Sequence, residues 1–306
     1  MATVPQNTIT VGIAGLTGKF ARLVASSLLE KPNARIRGYV RDPTKLDSSL
    51  ASDPRVEVIQ GEAYDAAKAR TFVQGCDVVI CAYLGDDKLM VEGQKILVDA
   101  CEAEQVPRYI ASDYCLDFTK LEKGQLFPKD PMIEVKEHLD QQKIVKGVHV
   151  LIGGFMDTIF SPYFQIWDSE SKALKIWGGE DLVWEITSYK TAAQYVAAVA
   201  MDSEAVGVKK FLGDRKSNRQ IADAIRSVRG VQAKVETLGT LDSLYKRMHE
   251  LKQQYPENPF KYMAMFYQYY CVNGQCYLGD LDNGKYPEVK PESLEDFLRR
   301  ATETTL

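Results

Sequence analysis

Histidine is scarce in this chain, with three residues in 306, at positions 138, 149 and 249. None is spaced to share a metal with another histidine or with a cysteine, which argues against a zinc enzyme. Six cysteines spread along the length make no disulfide scaffold and predict a reduced, cytoplasmic protein. Long hydrophobic runs are missing. Stretches such as Val78-Val79-Ile80-Cys81-Ala82 are far too short to cross a bilayer. The opening Met1-Ala-Thr-Val-Pro-Gln-Asn7 has neither the cationic nor the apolar region of a secretion signal. Basic excess is missing too: 38 Lys and Arg against 42 Asp and Glu leave a net charge of −4. That balance argues against nucleic acid or an anionic membrane as the main partner; the expected partner is a small-molecule substrate and the expected state a monomer or homodimer. What is present, 45% hydrophobic and 26% charged residues, is ordinary globular composition for one large or two modest domains.

The first half alternates strand and helix signals. Strands are predicted at 8–14, 35–41, 56–60, 77–83, 108–111 and 148–152, and helices at 18–30, 89–104 and 131–146. The fourth strand is apolar throughout, as a strand covered on both faces should be. Asp130-Pro131 supplies an N-cap and first-turn proline for the third helix. The fold class is therefore α/β, a Rossmann-type doubly wound parallel sheet with right-handed crossovers. After Gly153-Gly154 the rhythm breaks and aromatic residues become dense. Residues 1–153 read as a dinucleotide-binding domain and 154–306 as a smaller, mostly helical substrate domain. Segments near 190–213 return to the first.

The first strand runs into Gly15-Leu16-Thr17-Gly18-Lys19-Phe20-Ala21, a G-x-x-G-x-x-A fingerprint with Gly12 just upstream. Glycine at 15 permits a tight turn, and glycine at 18 lets backbone amides approach a pyrophosphate at a helix N-terminus. A glycine triplet alone is weak evidence. Its place between the first strand and first helix of a βαβ unit is the confirming context. Where an NAD-binding fold often carries an acid after the second strand, this chain has Arg41-Asp42-Pro43-Thr44-Lys45. Arg41 and Lys45 suit the 2′-phosphate of NADP(H), although a solvated charge cluster partly cancelled by Asp42 is the alternative. Tyr83 and Leu84 at the end of the fourth strand, and Ser112 after the fifth, fall on the same sheet edge and join the cofactor-binding set.

Short-chain dehydrogenases carry Tyr-x-x-x-Lys on the helix after the fifth strand. The two matches here, Tyr64 to Lys68 and Tyr286 to Lys290, fall elsewhere and read as chance. The helix that does follow the fifth strand offers Lys136, beside the apolar face of Met132, Val135 and Leu139. From there its ammonium reaches either the cofactor cleft, to bind ribose or move a proton, or solvent. Asp113 and Tyr114 face substrate or else serve the loop. Gly153, Gly154 and Phe155 follow the sixth strand toward the nicotinamide, and Asp157 is a further substrate candidate. Cys271-Val-Asn-Gly-Gln-Cys276 fits an Asn-Gly hairpin holding two cysteines opposite each other, free thiols in a reduced protein. The aromatic stretch Phe260 to Tyr270 lines a pocket or packs a core.

These pieces carry a resemblance. Ala14-Gly-Leu-Thr-Gly18, Val40-Arg-Asp-Pro43, Gly75-Cys-Asp-Val-Val-Ile80, Arg108-Tyr-Ile-Ala-Ser112, Lys136 and Val148 to Phe155 resemble the NmrA-like, isoflavone-reductase-like atypical short-chain dehydrogenases. Lys285 to Lys290 and Ser293 to Leu298 resemble that family's closing pattern. The resemblance implies an NADP(H)-binding Rossmann domain, with substrate between it and the C-terminal domain and with Lys136 as the catalytic lysine. It also implies an oxidoreductase working on bulky aromatic or alkaloid-like molecules in natural-product biosynthesis. Two departures stand out. Ser112-Asp113-Tyr114-Cys115 replaces the common Ser-Glu-Phe-Gly, and Gly61-Glu62 replaces Gly-Asp. A cyclisation or rearrangement in the same pocket, and a non-catalytic NADP(H)-sensing regulator of a protein partner, are the alternatives. Lys136 favours the enzyme.

Overall fold

The alternation of apolar strands and amphipathic helices closes into a sheet in the computed structural model, which describes residues 8–301. Along the chain the strands are β1 (Ile9–Ala14), β2 (Ala34–Val40), β3 (Val56–Gln60), β4 (Val78–Cys81), β5 (Arg108–Ile110), β6 (Lys146–Leu151), β7 (Gly154–Phe155), β8 (Trp167–Asp168), β9 (Ala173–Trp177), β10 (Val183–Thr187), β11 (Gly207–Lys210), β12 (Asp214–Ser217) and β13 (Lys234–Gly239). The helices are α1 (Lys19–Leu29), α2 (Ser48–Ala51), α3 (Ala66–Val73), α4 (Gln94–Ala103), α5 (Asp130–Asp140), α6 (Met156–Ile159), α7 (Tyr189–Met201), α8 (Asn218–Arg229), α9 (Leu241–Gln254), α10 (Met263–Val272) and α11 (Leu294–Arg300). The chain forms two units. One comprises residues through Tyr114, Lys129–Val150 and Ala193–Lys209; the other comprises Cys115–Pro128, Leu151–Ala192 and residues from Lys210.

The first unit is built on a seven-stranded sheet in the order β11-β6-β5-β4-β1-β2-β3. β1 pairs in parallel with both β2 and β4, so the strand order reverses beside it. Open α/β sheets bind ligands at the carboxyl ends of the strands at such a reversal. Phe72 and Val73 of α3, Leu97 and Val98 of α4, and Val135 and Leu139 of α5 pack with Val79, Cys81 and Tyr109 of the sheet. On α1 the buried residues are Ala21, Val24, Ala25 and Leu28.

Two helices are shorter than their periodicity predicts. The segment predicted as a helix from Leu89 opens as a wide π-type turn over Leu89–Gly93, and α4 starts only at Gln94. The Gln94 side chain is the cause: its Nε2 donates to the Met90 carbonyl at 2.8 Å, entering the helix's own ladder. α5 stops at Asp140 rather than continuing to 146. The amides of Ile144 and Val145, just before β6, donate instead to the Glu102 carboxylate at 2.9 Å each.

Arg108, at the head of β5, is 4% exposed. Its guanidinium donates to the carbonyls of Val199, Ala200 and Asp202 at 3.1, 2.8 and 2.6 Å, serving the last turn of α7. Removing it strands buried acceptors at a helix terminus. Arg108→Leu is expected to destabilise the protein by about 3 kcal/mol, read from the urea midpoint. A loss below about 0.5 kcal/mol, the range of ordinary surface substitutions, would refute that role.

The second unit contains two three-stranded sheets, β12-β10-β7 and β13-β9-β8, over a core that includes Phe160, Phe164, Trp184, Ile221, Ile225 and Phe297. It is less helical than its sequence predicts. β12 reads Asp-Arg-Lys-Ser and β13 Lys-Val-Glu-Thr-Leu-Gly, edge strands whose charge hides them from hydrophobic pattern. Residues 115–128 belong here, inside the span assigned from sequence to the first domain. The expected Asn-Gly hairpin is absent. Cys271 lies in α10, Asn273 caps it, and Gly274 follows at φ +88°, so the dipeptide ends a helix. Cys271 and Cys276 are free thiols. Of the aromatic stretch, Tyr262, Phe266 and Tyr270 are buried, Phe266 standing edge-on to Phe127 at 5.3 Å, whereas Phe260 is exposed.

Candidate functional site

The carboxyl edge of the first unit's sheet collects most of the sequence-predicted residues. Gly15 follows β1 at φ +82°, a left-handed conformation that an L side chain would strain. Its amide donates to the Tyr39 carbonyl and its carbonyl accepts the Gly18 amide, both at 2.9 Å. A Cβ at Gly15 would lie 3.2 Å from both the Ala82 carbonyl oxygen and Tyr83 Cδ1. Leu16 is wholly buried, occupying the space at Gly38, where a Cβ would fall 2.3 Å from its Cδ2. Leu16 therefore anchors the loop by its side chain. Thr17 and Gly18 are half-buried and Lys19 is exposed. α1 opens on Gly18 with no side-chain cap and no acidic residue in its first turn. An uncapped helix N-terminus behind a tight glycine turn complements a diphosphate in charge and in backbone access.

One strand over, Arg41 follows β2 and is exposed. Asp42 does not compete for a ribose. Its Oδ1 accepts the Thr44 hydroxyl at 2.6 Å and amide at 3.1 Å, capping the turn Pro43–Lys45. Those two Thr44 bonds, helped by Lys45 and Arg41, hold the Asp42 carboxyl below its usual range. Lys45 Nζ stands 3.8 Å from Asp42 Oδ2, which spends part of its charge. At Gly61, after β3, a Cβ would come 2.4 Å from the Tyr39 hydroxyl, which donates to the Glu62 carbonyl at 2.7 Å. Burial, with Asp65 and Glu62 nearby, pushes the Tyr39 phenol up to about 12.

After β4, the Tyr83 phenol is enclosed, and burial raises its pKa. Leu84 beside it is 92% exposed. Ser112 Oγ donates to the Tyr83 carbonyl at 2.7 Å, and the Ser112 amide donates to Gln94 Oε1 at 3.0 Å. Asp113 and Tyr114, expected to face substrate, turn inward. Tyr114 sits at φ +28°, donates its hydroxyl to the Cys81 carbonyl at 2.9 Å, and packs on Phe20 with centroids 4.7 Å apart. Asp113 Oδ2 lies 2.6 Å from His149 Nδ1, both residues buried. Sequence reasoning missed Gln94 and His149. Neither stands in a motif, and each gains its role only by meeting a loop far away in the chain.

Lys136 lies on α5 with its side chain 31% exposed and Nζ 2.6 Å from Asp140 Oδ2, one turn on. Neighbouring charges on α5 are also matched, Glu134 by Lys95 at 2.5 Å and His138 by Asp99 at 2.6 Å.

The remaining predicted residues lie in the second unit and have local roles there. Gly153, at φ +68°, lets the chain pass the Glu185 carbonyl oxygen, 2.3 Å from where a Cβ would sit. Gly154 and Phe155 pair with Ile186 and Thr187, and Phe155 meets Tyr189 edge-on at 4.3 Å. Asp157 accepts the Tyr189 amide at 2.8 Å, at the N-terminus of α7. Among the described residues no cluster of metal-ligating side chains is placed to hold a metal, and no helix is long and apolar enough to cross a membrane.

Residues 15–152 match the family of NAD(P)H-binding domains. Over 83 residues, 26% of this chain and 32% of the relative, the sequence is 30% identical to an oxidoreductase of Pestalotiopsis microspora. Over 124 residues, 38% of each chain, it is 33% identical to an isoflavone reductase homolog of Zea mays. The matched stretches span about a third of the length of these curated relatives. Among solved structures, AtPrR2 with NADP+ and (+)pinoresinol covers 97% of this chain and 99% of its own, with a TM-score of 0.80 at 14% identity, a likeness of fold.

Proposed function

We propose, from the premise that residues 15–152 are an NAD(P)H-binding domain, that the protein is an NADPH-dependent oxidoreductase of the isoflavone-reductase-like kind. One observation carries the reading: the uncapped N-terminus of α1 behind Gly15, with exposed Arg41 one strand away and Asp42 committed to its own turn. Gly15, Thr17, Gly18, Lys19 and Phe20 hold the diphosphate, and Arg41 with Lys45 holds the 2′-phosphate. Tyr83, Leu84 and Ser112 border the cofactor further along the edge. Leu16 and Tyr114 support from beneath, as their burial indicates. NADPH bound there supplies a hydride. Lys136, released from Asp140, donates a proton to the substrate or stabilises negative charge developing on it. The names of the similar proteins, an isoflavone reductase homolog and a structure with pinoresinol, support a bulky aromatic substrate of natural-product type.

The ion pair at Lys136 favours a second reading, a dinucleotide-binding regulator without turnover, because the ammonium is engaged by Asp140 on its own helix rather than presented to a substrate. Calorimetric titration with NADPH, NADP+, NADH and NAD+, followed by an absorbance screen with aromatic acceptors, tests both. Tight, phosphate-dependent binding with NADPH consumption is the expected result. Binding without consumption by any acceptor selects the regulator. No binding of any dinucleotide overturns both.

A further inference from the structure

A buried polar contact beneath the sheet edge joins two elements distant in sequence. His149, on β6, is 2% exposed and Asp113, after β5, is 3% exposed. His149 Nδ1 and Asp113 Oδ2 are 2.6 Å apart. Asp113 Oδ1 has no hydrogen-bond partner among the described residues, so this contact alone fixes the direction of the carboxyl. A glycine makes room for the ring: a Cβ at Gly147 would fall 3.1 Å from His149 Nε2 and 3.2 Å from Leu139 Cδ1. The imidazole therefore lies flat along β6, on the face where Leu139 of α5 packs.

The consequence runs through the next residue. Tyr114 holds φ +28°, a left-handed conformation disfavoured for an aromatic residue and kept only where its surroundings over-determine it. Its anchors are the Cys81 carbonyl on one side and Asp113 on the other. Its ring packs on Phe20, the second residue of α1, the helix whose N-terminus is proposed above to receive the diphosphate. We propose that His149 is a positioning residue of the dinucleotide site: by holding Asp113 it fixes the β5 loop, and through Tyr114 and Phe20 it fixes the first turn of α1. This rests on the dinucleotide reading above, but it predicts a preorganised helix start with or without ligand.

His149→Leu removes the bond, whereas His149→Asn keeps an N–H donor at the position of Nδ1. Two readouts are compared. One is amide hydrogen exchange at Phe20, Ala21 and Tyr114 in the cofactor-free protein. The other is NADPH affinity by calorimetry. His149→Leu is expected to speed exchange at these amides and weaken NADPH, each about tenfold, while His149→Asn stays within about twofold of wild type on both. Unchanged exchange in His149→Leu overturns the proposal whatever NADPH does. Wild-type NADPH affinity in His149→Leu overturns it too. If the wild type binds no dinucleotide, the functional reading fails, and exchange alone decides the positioning role. Should His149→Leu not fold, Asp113→Leu with His149→Leu removes both polar partners together and leaves no orphaned group. The same tenfold changes are then expected, and wild-type behaviour on either readout overturns the proposal.

Discussion

Arg41→Ala is expected to weaken NADPH binding by about 30-fold and to leave NADH within about twofold, because it removes the charge-assisted contact proposed for the 2′-phosphate. Arg41 is exposed, and its backbone carbonyl accepts a bond from Gln60 Nε2 at 3.1 Å. Truncating the side chain therefore leaves the strand end intact. A guanidinium is a planar fork able to grip a phosphate through two bonds. NADH has no group at that position to lose. Lys45 contributes less, since Asp42 already takes part of its charge at 3.8 Å. Calorimetric dissociation constants for both dinucleotides, on wild type and variant at one ionic strength, give the answer. Equal loss for NADPH and NADH would remove Arg41 from the 2′-phosphate and leave the glycine loop as the whole of the cofactor argument.

Turnover is where Lys136→Ala is expected to show, lowering kcat by about 100- to 1,000-fold with NADPH affinity unchanged within about twofold, the size typical of a missing proton-transfer group. The alternative, that the variant merely loosens α5, is decided by magnitude. Within the fold the substitution breaks an exposed pair one helical turn apart, Lys136 to Asp140, with side chains 31% and 60% exposed. Such pairs are worth about 0.3–0.5 kcal/mol, too little to explain a hundredfold loss. Thermal unfolding of the variant provides the control. Turnover that survives the substitution intact would take Lys136 out of the mechanism and move the protein toward the regulator.

Much of the proposed cofactor edge has its placement in the fold legible in the sequence because its residues are local. Gly15 and Gly18 sit in one turn between a strand and a helix, and three residues of spacing carry the geometry. Arg41 needed only the end of the next strand to be placed. The loop after β5 was not legible in the same way. Asp113 and Tyr114 were correctly set at the sheet edge, but the direction of their side chains depended on His149, 36 residues on, and on Cys81, 33 residues back. Gln94 read as one more helical residue, yet it both widens the start of its helix and holds the Ser112 amide. Nothing in the pattern of polar residues on a helix distinguishes that glutamine from a solvated one.

By itself the sequence determined the α/β class, the parallel order of the first strands, the glycine turn and the positive charge at the end of β2. Each of these follows from short-range periodicity or from backbone conformations that few residue types tolerate. Tertiary structure alone decided which side chains meet. It set Asp157 on the start of α7, Arg108 on its end and His149 on Asp113. It also drew residues 115–128 into the second unit and turned an Asn-Gly pair from a hairpin into a helix stop. For the three long-range polar contacts the physical reason is common. A buried polar group must find a partner wherever folding places one, and partners distant in the chain leave no periodic trace in either segment.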